Sequence, residues 1–388
     1  MKYCTNCVIP ETAESHSFDE KDQCSVCNQI EIKKEKINWV ERQENLNKLV
    51  TKYKGANTYD CIVPFSGGKD SVFALWHIVT ILKLNPLVVR FDHTFLRDQV
   101  EENTKTVIKK LGVDFINYKP DFSIVKKLMF ESLNRRGDFC WHCHVGIAAY
   151  PIRVAIEKKI PFILYGEPSA EYSSFYSYDD FEELDVEKFN KTINLGINAE
   201  DILGMINSRF PDDKINISDL DPFIFPTQKK LRENKIKACY LGNYIPWDVR
   251  KQVDIIKKEL DWKGAEVEGI PEAYDYEKIE CYMQGVRDYI RYIKRGFGRT
   301  SHLVSIDIRN KRMTREEGVK LVKKYDGKRP KSLDYFLKIM NINEDQFYEI
   351  VLDHVVQPHK PESVKNLKLN RLNKSPEDFK NLFSLLDS

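Results

Sequence analysis

The sequence predicts an α/β protein built on a doubly wound parallel sheet, with a small cysteine-bearing module at its N-terminus and a mostly helical C-terminal unit. Three observations carry this. From Tyr59 to Tyr165 short apolar runs alternate with longer helical stretches, the pattern of βαβ crossovers. The first 28 residues hold four cysteines but few core-sized apolar residues, so burial alone cannot fold them. Beyond Glu268 the chain becomes helical and aromatic (YEKIECYMQGVRDYIRYIKRGFGR).

The elements follow in order. Ile30 to Lys54 is charged and helix-prone with an imperfect apolar stripe, and reads as an amphipathic linking helix. Tyr59–Phe65, Pro86–Phe91, Val113–Tyr118 and Pro161–Tyr165 read as buried strands, and the segment 238–241 as a further one. Between them Val72–Leu82, Arg97–Leu111, Phe122–Leu133 and Ile147–Lys158 read as helices, followed by Asp248–Leu260. Pro64 sits at the end of the first strand, where a missing N–H costs little. The expected organisation is 1–28 a ribbon module, 29–58 a helical linker, 59–265 the α/β domain and 266–388 a helical region.

The chain has 388 residues, with 61 Lys and Arg against 59 Asp and Glu, a net charge of +2. That balance argues against a protein that grips polyanions, so nucleic acid is not the expected partner. With 42% hydrophobic residues the chain can fill a sizeable core, which excludes disorder over most of it. No apolar run reaches the ~18 residues that span a bilayer, and MKYCTNCVIP lacks the regions of a signal peptide. The expectation is a cytoplasmic protein without a membrane partner.

The strongest motif is Ser66-Gly67-Gly68-Lys69-Asp70-Ser71, directly after a predicted strand and before a predicted helix. Two glycines let the backbone turn tightly and bring successive N–H groups against phosphate oxygens at the positive end of a helix. Ser66 and Ser71 add hydroxyls, and Lys69 adds a mobile cation. It is not a Walker A loop, because Lys69 is followed by Asp70 and no glycine stands five residues before Gly68.

Cys4-x2-Cys7 and Cys24-x2-Cys27 supply four thiolates at the spacing of a closed tetrahedral site, so a structural zinc ion is expected there. Cys140-Trp141-His142-Cys143-His144 is a third cluster. A second metal, an iron–sulfur cluster completed by a thiol such as Cys239 or Cys281, redox exchange and a packed turn are all open readings of it. Glu167, in the segment that ends the fourth strand, is a candidate to hold Mg²⁺ or orient a substrate, with a capping role as the alternative. The run Tyr289–Arg299 interleaves Arg291, Lys294, Arg295 and Arg299 with aromatics. Such a run holds phosphates or forms a solvated basic helix face.

At SGGKDS the sequence resembles the PP-loop ATP pyrophosphatase superfamily, of adenine nucleotide α-hydrolase-like fold, whose signature is SGGxDS. The resemblance implies a doubly wound sheet that binds ATP and Mg²⁺ at the strands' carboxyl ends. It implies cleavage between the α and β phosphates, and it puts Asp92 near the adenosine. Ser66, Gly67, Gly68, Lys69, Asp70 and Ser71 then bind the nucleotide, and Lys69, Asp70 and Glu167 are the candidate catalytic residues.

MKYCTNCVIPET, CSVCNQIE, PFSGGKDS, DFCWHCHVG, ILYGEPSAEY, LGNYIPWD and GFGRTSHLVSIDIR together resemble the N-acetyl sugar amidotransferase family of bacterial surface-polysaccharide and nonulosonic-acid pathways. This resemblance implies an ATP-dependent ligase that adenylates the acetamido group of a nucleotide-linked sugar. Ammonia from a glutaminase subunit then makes an acetamidino group, in some members with a third, cyclase-like partner. No glutaminase is visible in the chain: position 2 is Lys2, and none of the nine cysteines sits in a G-x-C-x-G elbow. Two alternatives remain. One is a tRNA thiolation enzyme of the same superfamily, favoured by the ribbon and the 140/143 pair. The other is a zinc-ribbon scaffold whose loop only senses ATP.

Overall fold

A computed structural model describes residues 1–172, 176–373, 376 and 379. The chain divides into two units, Asn38–Pro168 with Phe181–Lys263, and Met1–Ile37 with Ser169–Asp180 and Gly264–Ser388. The expected boundary at 265/266 lies beside the break at 263/264. The ribbon, expected as a module of its own, shares its unit with the C-terminal region. The expected linking helix is two helices, α1 (Ser25–Glu35) and α2 (Trp39–Tyr53), separated where the Asn38 side chain accepts from Glu41 N at 3.3 Å and starts α2 afresh.

The first unit is a five-stranded parallel sheet of order β3-β2-β1-β4-β5, with β1 (Cys61–Pro64), β2 (Pro86–Phe91), β3 (Asp114–Tyr118), β4 (Phe162–Tyr165) and β5 (Lys237–Tyr240). Ile62 pairs with Leu87 on one side and with Ile163 on the other. The strands read as continuous apolar runs because helices cover both faces. On one side α3 (Lys69–Thr80) and α4 (Asp98–Leu111) pack with α11 (Val249–Leu260). The other face carries α6 (Trp141–Lys158), where Ile62, Val89 and Ile163 meet Ile152 and Ala155. α6 approaches so closely that a Cβ on Gly146 would lie 2.3 Å from the Phe91 ring.

The segment before β5, left unassigned from the sequence, is an insertion with α8 (Val186–Lys188), α9 (Ala199–Arg209) and α10 (Gln228–Glu233). Ile202, Ile206 and Phe223 pack there with Trp141 and with Leu128 of α5 (Phe122–Arg136). The chain runs from β1 outward to β3 and then returns to β4 on the far side of β1. The topological switch point, where open α/β sheets bind their ligands, therefore lies between β1 and β4.

The second unit holds the ribbon and α1, then α7 (Ser169–Tyr172), α12 (Gln284–Arg295), α13 (Arg299–Arg309), α14 (Arg315–Tyr325), α15 (Ser332–Met340), α16 (Glu344–Leu352) and α17 (Val364–Leu369). The ribbon docks on α13: Val8, Ile9 and Val26 join Phe297, Val304 and Ile308 in one apolar cluster. Arg315 Nε donates to the Cys7 carbonyl at 3.0 Å, and Arg295 Nη1 to the Thr12 carbonyl at 2.6 Å. Two carboxylates, the half-buried Asp326 and the buried Glu268, stand in for local caps. Asp326 accepts from Gly298 N, Thr300 N and Ser301 N at 2.8–3.1 Å at the start of α13, and Glu268 accepts from Lys331 N at 2.9 Å at the start of α15. Among the described residues, no helix is long and apolar enough to cross a membrane.

Candidate functional site

The loop Ser66–Ser71 leaves β1 at the switch point and enters α3 with Gly68 as its N-cap. Gly67 has φ +85°, and a Cβ there would stand 2.7 Å from Val100 Cγ1, so the turn requires glycine. The two serines lock the loop. Ser71 Oγ accepts from Ser66 N at 3.1 Å and donates to the Gly68 carbonyl at 3.1 Å, while Ser66 Oγ accepts from Gly68 N at 3.2 Å. Trp262, from the end of α11, donates its indole N–H to the Gly67 carbonyl at 3.1 Å. Nothing in the sequence pointed to that contact, which joins residues 195 positions apart.

Lys69 corrects the expectation of a mobile, exposed cation. It is only 5% exposed and ion-pairs with Asp70 Oδ2 at 2.8 Å. Both residues stand in the first turn of α3. Asp70 Oδ1 is buried and has no hydrogen-bond partner.

At the end of β2, Asp92 Oδ1 accepts from Thr94 N at 2.7 Å and His93 Nδ1 from Phe95 N at 3.3 Å. Asp92, expected near the adenosine, thus has a turn to hold. Thr94 was not foreseen: it is buried, it adopts φ +82°, and its Oγ1 has no partner. A β-branched residue in that conformation is strained.

Glu167 follows Gly166 at the end of β4. The Gly166 backbone lies against the first turn of α3, so a Cβ on it would meet the Asp70 carbonyl at 3.1 Å. Gly242, just after β5, donates its N–H to the Gly166 carbonyl at 3.0 Å. Its neighbour Asn243, within the LGNYIPWD segment, is 2% exposed, and both amide atoms lack a partner. The ends of β1, β2 and β5 thus each carry a buried polar side-chain atom without a protein partner, which is uncommon enough to mark a ligand site. Asp70 Oδ1 is an orphaned carboxylate oxygen of the kind Mg²⁺ takes, so the residues fit a bound Mg²⁺.

The cysteines divide into two cases. Cys4, Cys7, Cys24 and Cys27 are all buried, with their Sγ atoms within 4.8 Å of one another. The 4–27 and 7–24 pairs stand at 3.8 Å. A tetrahedral ion with ligands ~2.3 Å away spaces its sulfurs by about 3.8 Å, so the set fits one metal ion.

Cys140 caps α6 and Cys143 lies in its first turn. Among the described residues only the ribbon set brings three or more such ligand atoms together, so no third ligand joins these two. Cys239, a suggested third ligand, is buried in β5 with its thiol pushed up to about 12 by burial. His142 is buried with Nε2 3.4 Å from the His93 carbonyl, and burial pushes its imidazole down to about 4.

The basic run is also corrected. Arg299 is buried and pairs with Asp288 at 3.2 Å and Glu277 at 3.5 Å; Arg291 pairs with Asp288 at 2.8 Å, and Arg295 with Glu14 at 2.9 Å. It is neither a solvated face nor an open phosphate rail. Glu171, the other carboxylate near the end of β4, is committed to Lys33 at 2.6 Å and to the Tyr178 hydroxyl.

The first unit is therefore a parallel α/β sheet with a glycine-bearing loop at its switch point, and the second is a helical unit with a four-cysteine site that can hold a metal ion. Residues 268–381 of that unit match the family of LPS biosynthesis proteins described as WbpG-like, C-terminal domain. The chain is 30% identical over 166 residues to the uncharacterized protein MJ1599 of Methanocaldococcus jannaschii, a stretch that takes in 42% of this chain and 58% of that relative. Among solved structures, the U34-tRNA thiolase NcsA from Methanococcus maripaludis with its 4Fe-4S cluster aligns over 96% of this chain and 99% of that one, at 15% identity and a TM-score of 0.30.

Proposed function

We propose that the protein is an ATP-dependent amidotransferase that converts the acetamido group of a nucleotide-linked sugar into an acetamidino group, within surface-polysaccharide biosynthesis. The observation that carries the chemistry is the SGGKDS loop at the switch point, ringed by buried polar atoms at three strand ends. The match of residues 268–381 to a lipopolysaccharide-biosynthesis domain supports the pathway.

An acetamide carbon is a poor electrophile, so its oxygen must become a leaving group. The amide oxygen attacks the α-phosphorus, the bond to the β-phosphate breaks, and pyrophosphate leaves. The loop N–H groups and Lys69, released from Asp70, neutralise charge that grows on the phosphates. Ammonia then adds to the imidate carbon, AMP departs with the oxygen, and the added nitrogen loses a proton to leave the amidine. Asp70 and Glu167 are the carboxylates that would hold Mg²⁺, which shields the phosphates when bound. Zinc in the ribbon is structural, since four cysteines close its shell.

The nitrogen comes from ammonia or from a partner glutaminase, since none of the nine cysteines sits in a G-x-C-x-G elbow. Burial raises Cys61 and Cys239 far from thiolate character. The test incubates the purified chain with ATP, Mg²⁺ and an acetamido nucleotide sugar. Ammonium salts should give amidine and AMP, faster as pH rises and ammonia is freed, while glutamine should give none until a glutaminase is added. Glutamine-dependent turnover by the chain alone would refute this reading.

A further inference from the structure

One cavity of the sheet unit lies away from the loop and gathers cations. It measures about 400 Å³, and its wall combines the end of α2, the segment before α8, α10 and the start of β5. All four belong to the same unit. Lys52 comes from the last turn of α2, Arg232 from the last turn of α10, Lys235 from the turn that follows, and Lys237 opens β5. Among the described residues Glu183 is the one carboxylate in that wall. The ion pairs of this region are Lys237 with Glu183 and Lys229 with Glu233, so among the described residues Lys52, Arg232 and Lys235 have no carboxylate partner.

Ordinary causes account for part of this charge. Lysine and arginine suit the last turn of a helix, whose carbonyl end carries about half a negative charge. Two such ends and Glu183 still leave the cavity an excess of about two positive charges. The whole chain carries only +2, so its charge is concentrated here. A concave wall of one sign draws anions into it.

The wall keeps its shape without help from the cations. Ile236 N donates to the Leu231 carbonyl at 2.9 Å and Lys235 N to the Arg232 carbonyl at 3.0 Å, which turns α10 into β5. Lys237 N donates to the Pro161 carbonyl at 2.8 Å, and the Tyr53 ring stacks on Phe162 at 4.4 Å, which anchors the end of α2. Lys52, Arg232 and Lys235 are exposed, whereas Leu231 and Ala238 are buried and give the cavity an apolar floor. Because β1, β4 and β5 run parallel, the first residues of β5 lie at the opposite edge of the sheet from the loop. Four residues of strand span ~13 Å, so a nucleotide whose phosphates rest on the loop does not place them here.

We propose that this cavity is a second ligand site of the sheet unit, which takes a small molecule bearing two or more phosphate charges. Its volume falls within the roughly 300–1,000 Å³ of small-molecule sites. Arg232 supplies a fork-shaped donor for phosphate oxygens, the lysines supply point charges, and the apolar floor receives the rest of the molecule. The site stands whatever reaction the loop serves.

The test is hydrogen–deuterium exchange on the full chain with pyrophosphate, with UDP and with ATP, and with uridine and a poly-glutamate peptide as controls. A phosphate ligand should slow exchange over residues 50–54 and 228–238, and the probe that does so at the lowest concentration tells a nucleotide from free pyrophosphate. Uridine should leave both segments unchanged. In the double variant Arg232→Gln with Lys235→Gln, affinity at this site should fall by about tenfold or more, the loss of two exposed charge-assisted contacts, while ATP still protects residues 66–80. Both side chains are exposed, so the variant should fold like the wild type. Added salt should weaken binding in the wild type, since the contacts are screened.

The site is overturned if no phosphate ligand slows exchange over 50–54 and 228–238 at millimolar concentration, if uridine acts as well as UDP, if the poly-glutamate peptide alone acts there, or if the double variant binds like the wild type.

Discussion

In the sheet unit the interior strands are mostly apolar, with Ile62, Val63, Val88 and Val89 fully buried and Arg90 of β2 the charged exception. In the helical unit charges are sunk among the helices instead: Glu268, Asp288, Arg299, Asp307, Arg309 and Arg329 are all more than nine-tenths buried. The first arrangement draws stability from burial, at ~25 cal/mol per Å² of apolar surface, so polar groups at its strand ends can be left for a ligand. The second arrangement depends on most of those charges finding a partner and on the ribbon closing over α13. Loss of one group should therefore act locally and functionally in the sheet unit, and structurally in the helical unit.

The sharpest break of that contrast is metal removal. Because Val8, Ile9 and Val26 share a cluster with Val304 and Ile308, Cys24→Ser or a chelator should open the ribbon and bare one face of α13. A structural zinc site is worth on the order of 10 kcal/mol or more in isolated modules, so this effect should be the largest. Elemental analysis should find one zinc per chain, and exchange should rise over residues 1–28 and 299–309 but not over the strands. Protein that contains no zinc would end the claim.

Next comes Asp288→Asn, which leaves Arg291 and Arg299 without their shared carboxylate. The expected loss is about 3–5 kcal/mol, read as a fall in the denaturation midpoint. Lys69→Met tests the opposite unit. It keeps the buried stem, so the midpoint should move little, whereas ATP-dependent turnover should fall at least about a hundredfold, as when one donor to a developing oxyanion is removed. Near wild-type pyrophosphate release from this variant would mean that the loop does not act on phosphates.

The two units also differ in how far they could be read in advance. Periods of apolar residues located all five strands to within two residues at either end, because parallel strands are buried on both faces. The ribbon was legible because ligand spacing is local, and SGGKDS because a strand, a tight turn and a helix are contiguous. What escaped were groups joined across the chain. The docking of the ribbon on α13, the indole of Trp262 on Gly67 and the burial of Lys69 leave no local trace. The basic run misled for the same reason, since its carboxylate partners Glu277, Asp288 and Glu14 lie on other turns or in another segment. The insertion before β5 stayed unassigned because its short helices lack a sustained period.

The smallest expected effect concerns Thr94, and it bears most directly on whether the strand ends are built for a ligand. Its φ of +82° costs a β-branched residue about 1–3 kcal/mol, and its buried hydroxyl is unpaired. Nothing in the packing of β2 requires threonine there, since the turn is held by Asp92 accepting from the Thr94 main chain, a bond that any residue but proline keeps. Thr94→Gly relieves the strain and loses some of the gain to backbone entropy, so the variant should be as stable as wild type or more so, by up to about 1 kcal/mol. If the hydroxyl serves a ligand, the same variant should raise the KM for ATP or for the acetamido substrate by about threefold to tenfold, one hydrogen bond's worth. Thr94→Ser should restore most of that loss. Equal kinetics for all three proteins would mean that the strained turn serves the fold alone, and the contrast between a sheet unit that keeps polar atoms for its ligand and a helical unit that pairs nearly all of them would lose one of its three supports.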